Sequence, residues 1–97
     1  MFNLFKKPLS PEEQLKKDIT EAFDSAVKLA FKDSPSLSVA GMYVNSAISS
    51  LYKSFNNNSV DIARQYRLPI LTVGYTIKWC TNDALLKYLD NGEDYLV

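Results

Sequence analysis

Apolar and polar positions alternate along the chain with two different periods. From Ser10 to Lys32 the apolar residues Leu15, Ile19, Ala22, Phe23, Ala26, Val27 and Ala30 recur at three- and four-residue steps. That is the stripe of an amphipathic helix. Ser10 stands ready as its N-cap, Pro11 takes the first turn, and Glu13 sits three residues after Ser10, the spacing of a capping box. The other face carries Glu12–Lys16, Glu13–Lys17 and Asp24–Lys28, each acid four residues before its base. Such pairs add about 0.2–0.5 kcal/mol apiece when they form. Phe31 falls beside the stripe and is expected to turn inward or meet a neighbour. Asp33-Ser34-Pro35 ends the helix, because the residue before a proline disfavours helical geometry.

The next stretch, Ser34 to Tyr52, has no charged side chain at all. Leu37, Ala40, Val44, Ala47, Ile48, Leu51 and Phe55 form its apolar stripe, and Ser36 or Ser38 is its expected cap. The opposite side holds the small, neutral residues Ser38, Gly41, Asn45, Ser46 and Ser49. A helix so poor in charge is expected to be covered on most sides, so residues 36–55 are read as the central helix. The small residues would let a second helix approach closely, from this chain or from a second copy. Asn56-Asn57-Asn58-Ser59 reads as a turn. A short helix follows over about Val60–Tyr66, with Val60, Ala63 and Tyr66 inward and Arg64 and Arg67 outward, broken by Leu68-Pro69.

Residues 70–80 fit two periods. Leu71, Val73, Tyr75, Ile77 and Trp79 alternate with Thr72, Gly74, Thr76 and Lys78, the signature of a strand. Ile70, Val73, Ile77, Cys80, Ala84 and Tyr88 fit one stripe of a helix equally. A strand needs a partner, and the chain offers no second convincing one. The reading is therefore a mainly α fold, a small bundle of four to five helices around 36–55. The alternative is an α+β fold with one strand at 70–80 pairing across a dimer. Asn91-Gly92 closes the last helix.

The length of 97 residues suits one domain, flanked by an N-terminal arm over 1–9 and a tail over 92–97. Net charge is zero and the pI is near 6.2, which lacks the basic excess of a phosphate-binding protein. A single cysteine, Cys80, forms no internal disulfide, and Met1–Lys7 lacks the apolar run of a secretory signal; both point to the reducing cytoplasm. The serines and Asn45 argue against a membrane span over 34–52.

Chemistry is thinly represented. There is no histidine, which removes the usual base near neutral pH and the triads built on it. One cysteine makes neither a thiolate metal site nor a redox pair, and Cys80 on an apolar stripe reads as packing. Asp90, Asn91, Glu93 and Asp94 cluster without the spacing of a calcium loop. No catalytic residue, metal or cofactor is expected. What remains is binding. Six tyrosines and one tryptophan are many for this length, and such residues are enriched where proteins meet. The expected function is a small cytoplasmic protein–protein interaction or regulatory module that self-associates as a homodimer. Its candidate contact residues are Phe2, Phe5, Ser38, Gly41, Asn45, Ser49, Tyr75 and Trp79. One alternative is a peripheral membrane adaptor, with Phe2, Leu4 and Phe5 inserting and Lys6 and Lys7 meeting anionic headgroups. Another is a weak nucleic-acid binder through Arg64, Arg67 and Lys78. The terminal Tyr95-Leu96-Val97 would suit a groove that reads a free carboxylate, although packing on the bundle is the plainer role.

Overall fold

The computed structural model describes residues 8–88, which form four helices and no strand. They are α1 (Pro11–Asp33), α2 (Leu37–Asn57), α3 (Ser59–Tyr66) and α4 (Ile70–Tyr88). The stretch 70–80 is helical throughout, so the strand across a dimer is not what this segment forms. The Asn91-Gly92 stop, the acidic cluster, the tail, and Phe2 and Phe5 lie outside the described residues.

The start of α1 follows the sequence rule closely. The Ser10 side chain accepts from the Glu13 amide at 3.2 Å, and the Ser10 amide donates to Glu13 Oε1 at 3.0 Å. Those bonds hold the Glu13 carboxyl below the usual range, the Ser10 amide acting first and its hydroxyl second. The expected i,i+4 ion pairs do not form. Glu13 is spent on the cap, and Asp24 turns to α4, where Lys87 Nζ lies 3.5 Å from Oδ1. That is the one ion pair among the described residues. Cross-helix partners that also supply a hydrogen bond outcompete a solvated neighbour on the same helix.

The core is built from one stripe on each long helix. Leu15, Ile19, Phe23, Val27 and Ala30 of α1 meet Val44 and Ile48 of α2 and Val73, Ile77, Cys80, Ala84 and Leu85 of α4. Ala40 is also buried on α2. Phe23 packs edge-to-face on Phe55, ring centroids 5.8 Å apart. Thr81 is fully buried among these groups. Its hydroxyl donates to the Ile77 carbonyl at 2.7 Å, which satisfies it inside the core. Phe31 is exposed, contrary to the inward expectation, because it lies just past the edge of the stripe at the end of α1.

The three long helices run up, down and up. A three-residue link turns α2 back along α1. Lys16 lies beside Trp79 and Cys80, while Asp24 lies beside Tyr88, so α1 and α4 run in the same direction. α2 returns the chain most of the way, and the short α3, with Ile62 and Tyr66 beside Leu15 and Asp18, completes the return before α4 begins. Its packing is light: it buries no residue fully, Ile62 rather than Val60 turns inward, and Val60 is exposed. Arg67 stops α3 in the left-handed region, at φ 56° and ψ 47°, with the Leu68 amide donating back to the Ala63 carbonyl at 3.0 Å. This is a Schellman-type end carrying arginine where glycine is usual. Pro69 then forbids continuation and sets the direction of α4.

α2 is central but not enclosed. α4 covers one side of the α1–α2 pair. On the other side, the row Asp18, Ala22, Ala26, Leu29 and Asp33 runs along α1, and α3 packs only over its first half. Eight residues of helix reach about 12 Å, against roughly 32 Å for α2. The uncovered remainder is an open groove of about 550 Å³, with Met42, Tyr43, Ser46 and Ser50 of α2 facing Ala26, Leu29 and Asp33. Met42 is 72% exposed. The expectation that α2 is hidden on most sides therefore fails on this flank, because the helix meant to cover it is too short.

Candidate interaction surface

α4 carries apolar residues on two sides. The inner stripe is Val73, Ile77, Cys80, Ala84 and Leu85. The outer one is Leu71, Tyr75, Trp79 and Leu86, at steps of four, four and seven residues, and thus on one face. Their exposures are 84%, 74%, 43% and 58%. Lys78 is the one charged residue from Ile70 to Asn82. The row leaves an apolar strip on the solvent side of α4 that little charge interrupts. The inner face fixes it rigidly. Ile77 and Val73 are wholly buried, and the Thr76 hydroxyl donates to the Thr72 carbonyl at 2.8 Å, tying off a side chain at the rim.

Trp79 is held from one side. Lys16 Nζ lies 3.9 Å from the ring centroid, a cation over a π face. A groove of about 300 Å³ runs between α1 and α4 at this point, lined by Glu12, Glu13, Lys16, Tyr75, Thr76 and Trp79. A second, of about 400 Å³, adjoins it across Glu13 and Lys16 and ends at Leu9, with Lys17, Thr20 and Glu21.

Gly74 sits inside α4, in ordinary helical geometry, and a methyl group built on it would meet nothing within 4 Å. Glycine inside a helix forgoes about 0.5–1 kcal/mol relative to alanine. Gly74→Ala is therefore expected to stabilise the monomer by about that amount in urea unfolding. A loss of stability would mean that something presses against this flank in solution.

The remaining polar groups hold structure. The Tyr66 hydroxyl donates to Asp18 Oδ2 at 2.5 Å, and Gln14 Nε2 donates to the other oxygen at 2.8 Å. This bond, with burial second, pushes the Tyr66 hydroxyl up to about 12. Tyr88 donates to Asp24 Oδ1 at 2.6 Å. That hydroxyl, ahead of Lys87, holds the Asp24 carboxyl below its ordinary value, while Tyr88 and Lys87 are both raised. Cys80 is buried, and burial raises its thiol; Thr20 Oγ1 approaches its sulfur at 3.8 Å, and the sulfur lies 3.9 Å from the Lys16 carbonyl. Among the described residues no group of three acidic, cysteine or histidine side chains is placed to hold a metal, and no helix is long and apolar enough to cross a membrane.

The expected contact residues divide. Tyr75 and Trp79 stand together on the outer face of α4. Ser38, Gly41, Asn45 and Ser49 share a different side, on α2: the first two are exposed and the last two half-buried, with the Asn45 carbonyl oxygen sealed from water and unpartnered among the described residues. Arg64 and Arg67 are exposed at the end of α3, and Lys78 is exposed on α4. Leu71 and Leu86 were not singled out from the sequence. The signal of Leu71 lies in the period-two alternation of 71–79, which reads as a strand, and Leu86 falls outside that alternation. Compared with known proteins, the sequence matches no family model and no curated protein, and the fold matches no solved structure.

Proposed function

We propose that this chain is a non-catalytic protein–protein interaction module that self-associates through the outer face of α4. The observation that carries the reading is the row Leu71, Tyr75, Trp79 and Leu86, turned to water on a helix whose other face is locked in the core. Aromatic and leucine side chains mounted on a rigid helix cost little ordering on contact, and they form the anchors of many interfaces. The groups that elsewhere serve acid–base chemistry are engaged in structure: Glu13 in the cap, Asp18 with Tyr66, Asp24 with Tyr88 and Lys87, and Cys80 under packing.

Light scattering over a range of protein concentrations tests the reading. The mass is expected to rise above the 11.0 kDa of one chain as concentration increases. Leu71→Glu with Tyr75→Glu is expected to hold it at the single-chain mass, with helical circular dichroism unchanged, since neither side chain enters the core. A mass that stays at one chain for the unsubstituted protein throughout, or a rise that the double substitution leaves intact, sinks the proposal.

A further inference from the structure

We propose that two copies pair their α4 helices antiparallel, about a two-fold axis that passes between Lys78 and Trp79. Leu71 then sits on the partner's Leu86, Tyr75 on the partner's Asn82, and the two Trp79 rings meet at the axis. The inference rests on the reading of α4 as the self-association surface, and it adds the direction and register of the pair.

The argument starts from spacing. Across a two-fold axis that reverses direction, residues equally far on either side of the axis face each other, and every contact occurs twice. Leu71 and Leu86 stand equally far from the point between Lys78 and Trp79, and so do Tyr75 and Asn82. Asn82 belongs to the outer row, since it follows Tyr75 by seven residues and precedes Leu86 by four. Leucine thus meets leucine, and the two polar-tipped side chains of the row meet each other.

Shape supports the same direction. The first half of the row stands proud, Leu71 at 84% exposed and Tyr75 at 74%, while Trp79 falls to 43%. Asn82 is half-buried, and its carbonyl oxygen is sealed from water and unpartnered among the described residues. An antiparallel pair sets the projecting Tyr75 ring over the recess at Asn82. A parallel pair would press Tyr75 on Tyr75 and leave a gap where Asn82 faces Asn82, and well-packed interfaces do not tolerate such gaps. A single polar position within an apolar strip fixes the register of paired helices, and Asn82 opposite Tyr75 has that part here. Lys16 already lies over one face of the indole at 3.9 Å, so each Trp79 is braced from its own chain and turns its remaining surface to the axis. Lys78 is exposed at the edge and keeps its charge in water. With aromatic side chains of about 150–250 Å² and the exposures of the row, two copies cover on the order of 1,000 Å² in total, the lower limit of a specific interface.

Cysteine linkage in the full chain reads the direction. Leu71→Cys and Leu86→Cys are made separately; both side chains are exposed, and the native Cys80 is buried, with the unsubstituted protein as control. The variants are oxidised with glutathione disulfide at concentrations where light scattering shows association. Mixed one to one, they are expected to give a linked dimer holding up to about half of the chains, the share of mixed pairs formed at random. Alone, neither is expected to link above the control, because each cysteine lies about 20 Å from its own counterpart, beyond the span of a disulfide. The variant carrying both cysteines is expected to link almost completely. Where the loss of a leucine abolishes association, Lys78→Cys keeps the row whole and, standing beside the axis, is expected to link to itself.

Linkage of Leu71→Cys to itself overturns the proposal in favour of a parallel pair. A mass that rises with concentration and falls with Leu71→Glu and Tyr75→Glu, but with no linkage in the mixture, the doubly substituted chain or Lys78→Cys, also overturns it and leaves α4 as the contact surface. A mass that stays at one chain throughout removes both readings together.

Discussion

Phe23→Ala is expected to cost about 3–5 kcal/mol. The side chain is 1% exposed, stands at the middle of α1, and packs its ring edge-to-face on Phe55 of α2. Truncation removes that aromatic pair and leaves a hole bounded by three long helices that are fixed by their other contacts. Small domains hold only about 5–15 kcal/mol in total, so this one substitution removes a large share. The comparison that makes the result specific is Phe31→Ala on the same helix. Phe31 is half exposed, and its loss is expected to change stability by no more than about 0.5 kcal/mol. Urea unfolding of both variants reads the difference. Equal effects would mean that α1 does not present its Phe23 face to the core.

The second large effect depends on pH. Tyr66 and Asp18 join α3 to α1, and the bond exists only while the phenol keeps its proton. The hydroxyl is raised from 10.0 to about 12, chiefly by that bond to Asp18. A group raised on folding lends its stabilisation in full below its unfolded value and loses it as pH climbs through the folded one. The contribution is thus whole below pH 10 and disappears between 10 and about 12. Hydrogen bonds to a charged acceptor are worth about 1.5–3 kcal/mol, and the half-buried position with Gln14 remaining on Asp18 favours the lower end. Tyr66→Phe is expected to lose this amount at pH 7 and to flatten the alkaline fall in stability. An unchanged slope from pH 10 to 12 would remove Tyr66 from the account.

Much of this fold is written locally. α1 could be drawn from Ser10, Pro11, Glu13 and the stripe from Leu15 to Ala30, since a cap and a period act within one turn of each other. α4 was ambiguous for a definite reason. Val73 and Ile77 face the core while Leu71, Tyr75 and Trp79 face outward, so a helix with two apolar sides prints the same alternation as a half-buried strand. The deciding fact, that α1 and α2 already present a trough for Val73, Ile77 and Ala84, is a tertiary one. The groove over Met42 was illegible for a similar reason: the charge-free composition of α2 says what tolerates burial, whereas the reach of α3 decides what is buried. The bonds of Asp18 and Asp24 join residues 48 and 64 positions apart, beyond any local pattern.

The shared direction of α1 and α4 also bears on assembly in time. During synthesis α1 and α2 emerge first and can close as a hairpin, pairing Phe23 with Phe55, while the flank awaiting Cys80, Ala84 and Leu85 stays wet. That flank is sealed only after Tyr88 has been made, at the end of a long loop closure. Until then Leu15, Ile19 and Val27 stay open to whatever apolar chain is nearby, so the nascent hairpin is the stage at which a chaperone or a wrong neighbour has its best opportunity.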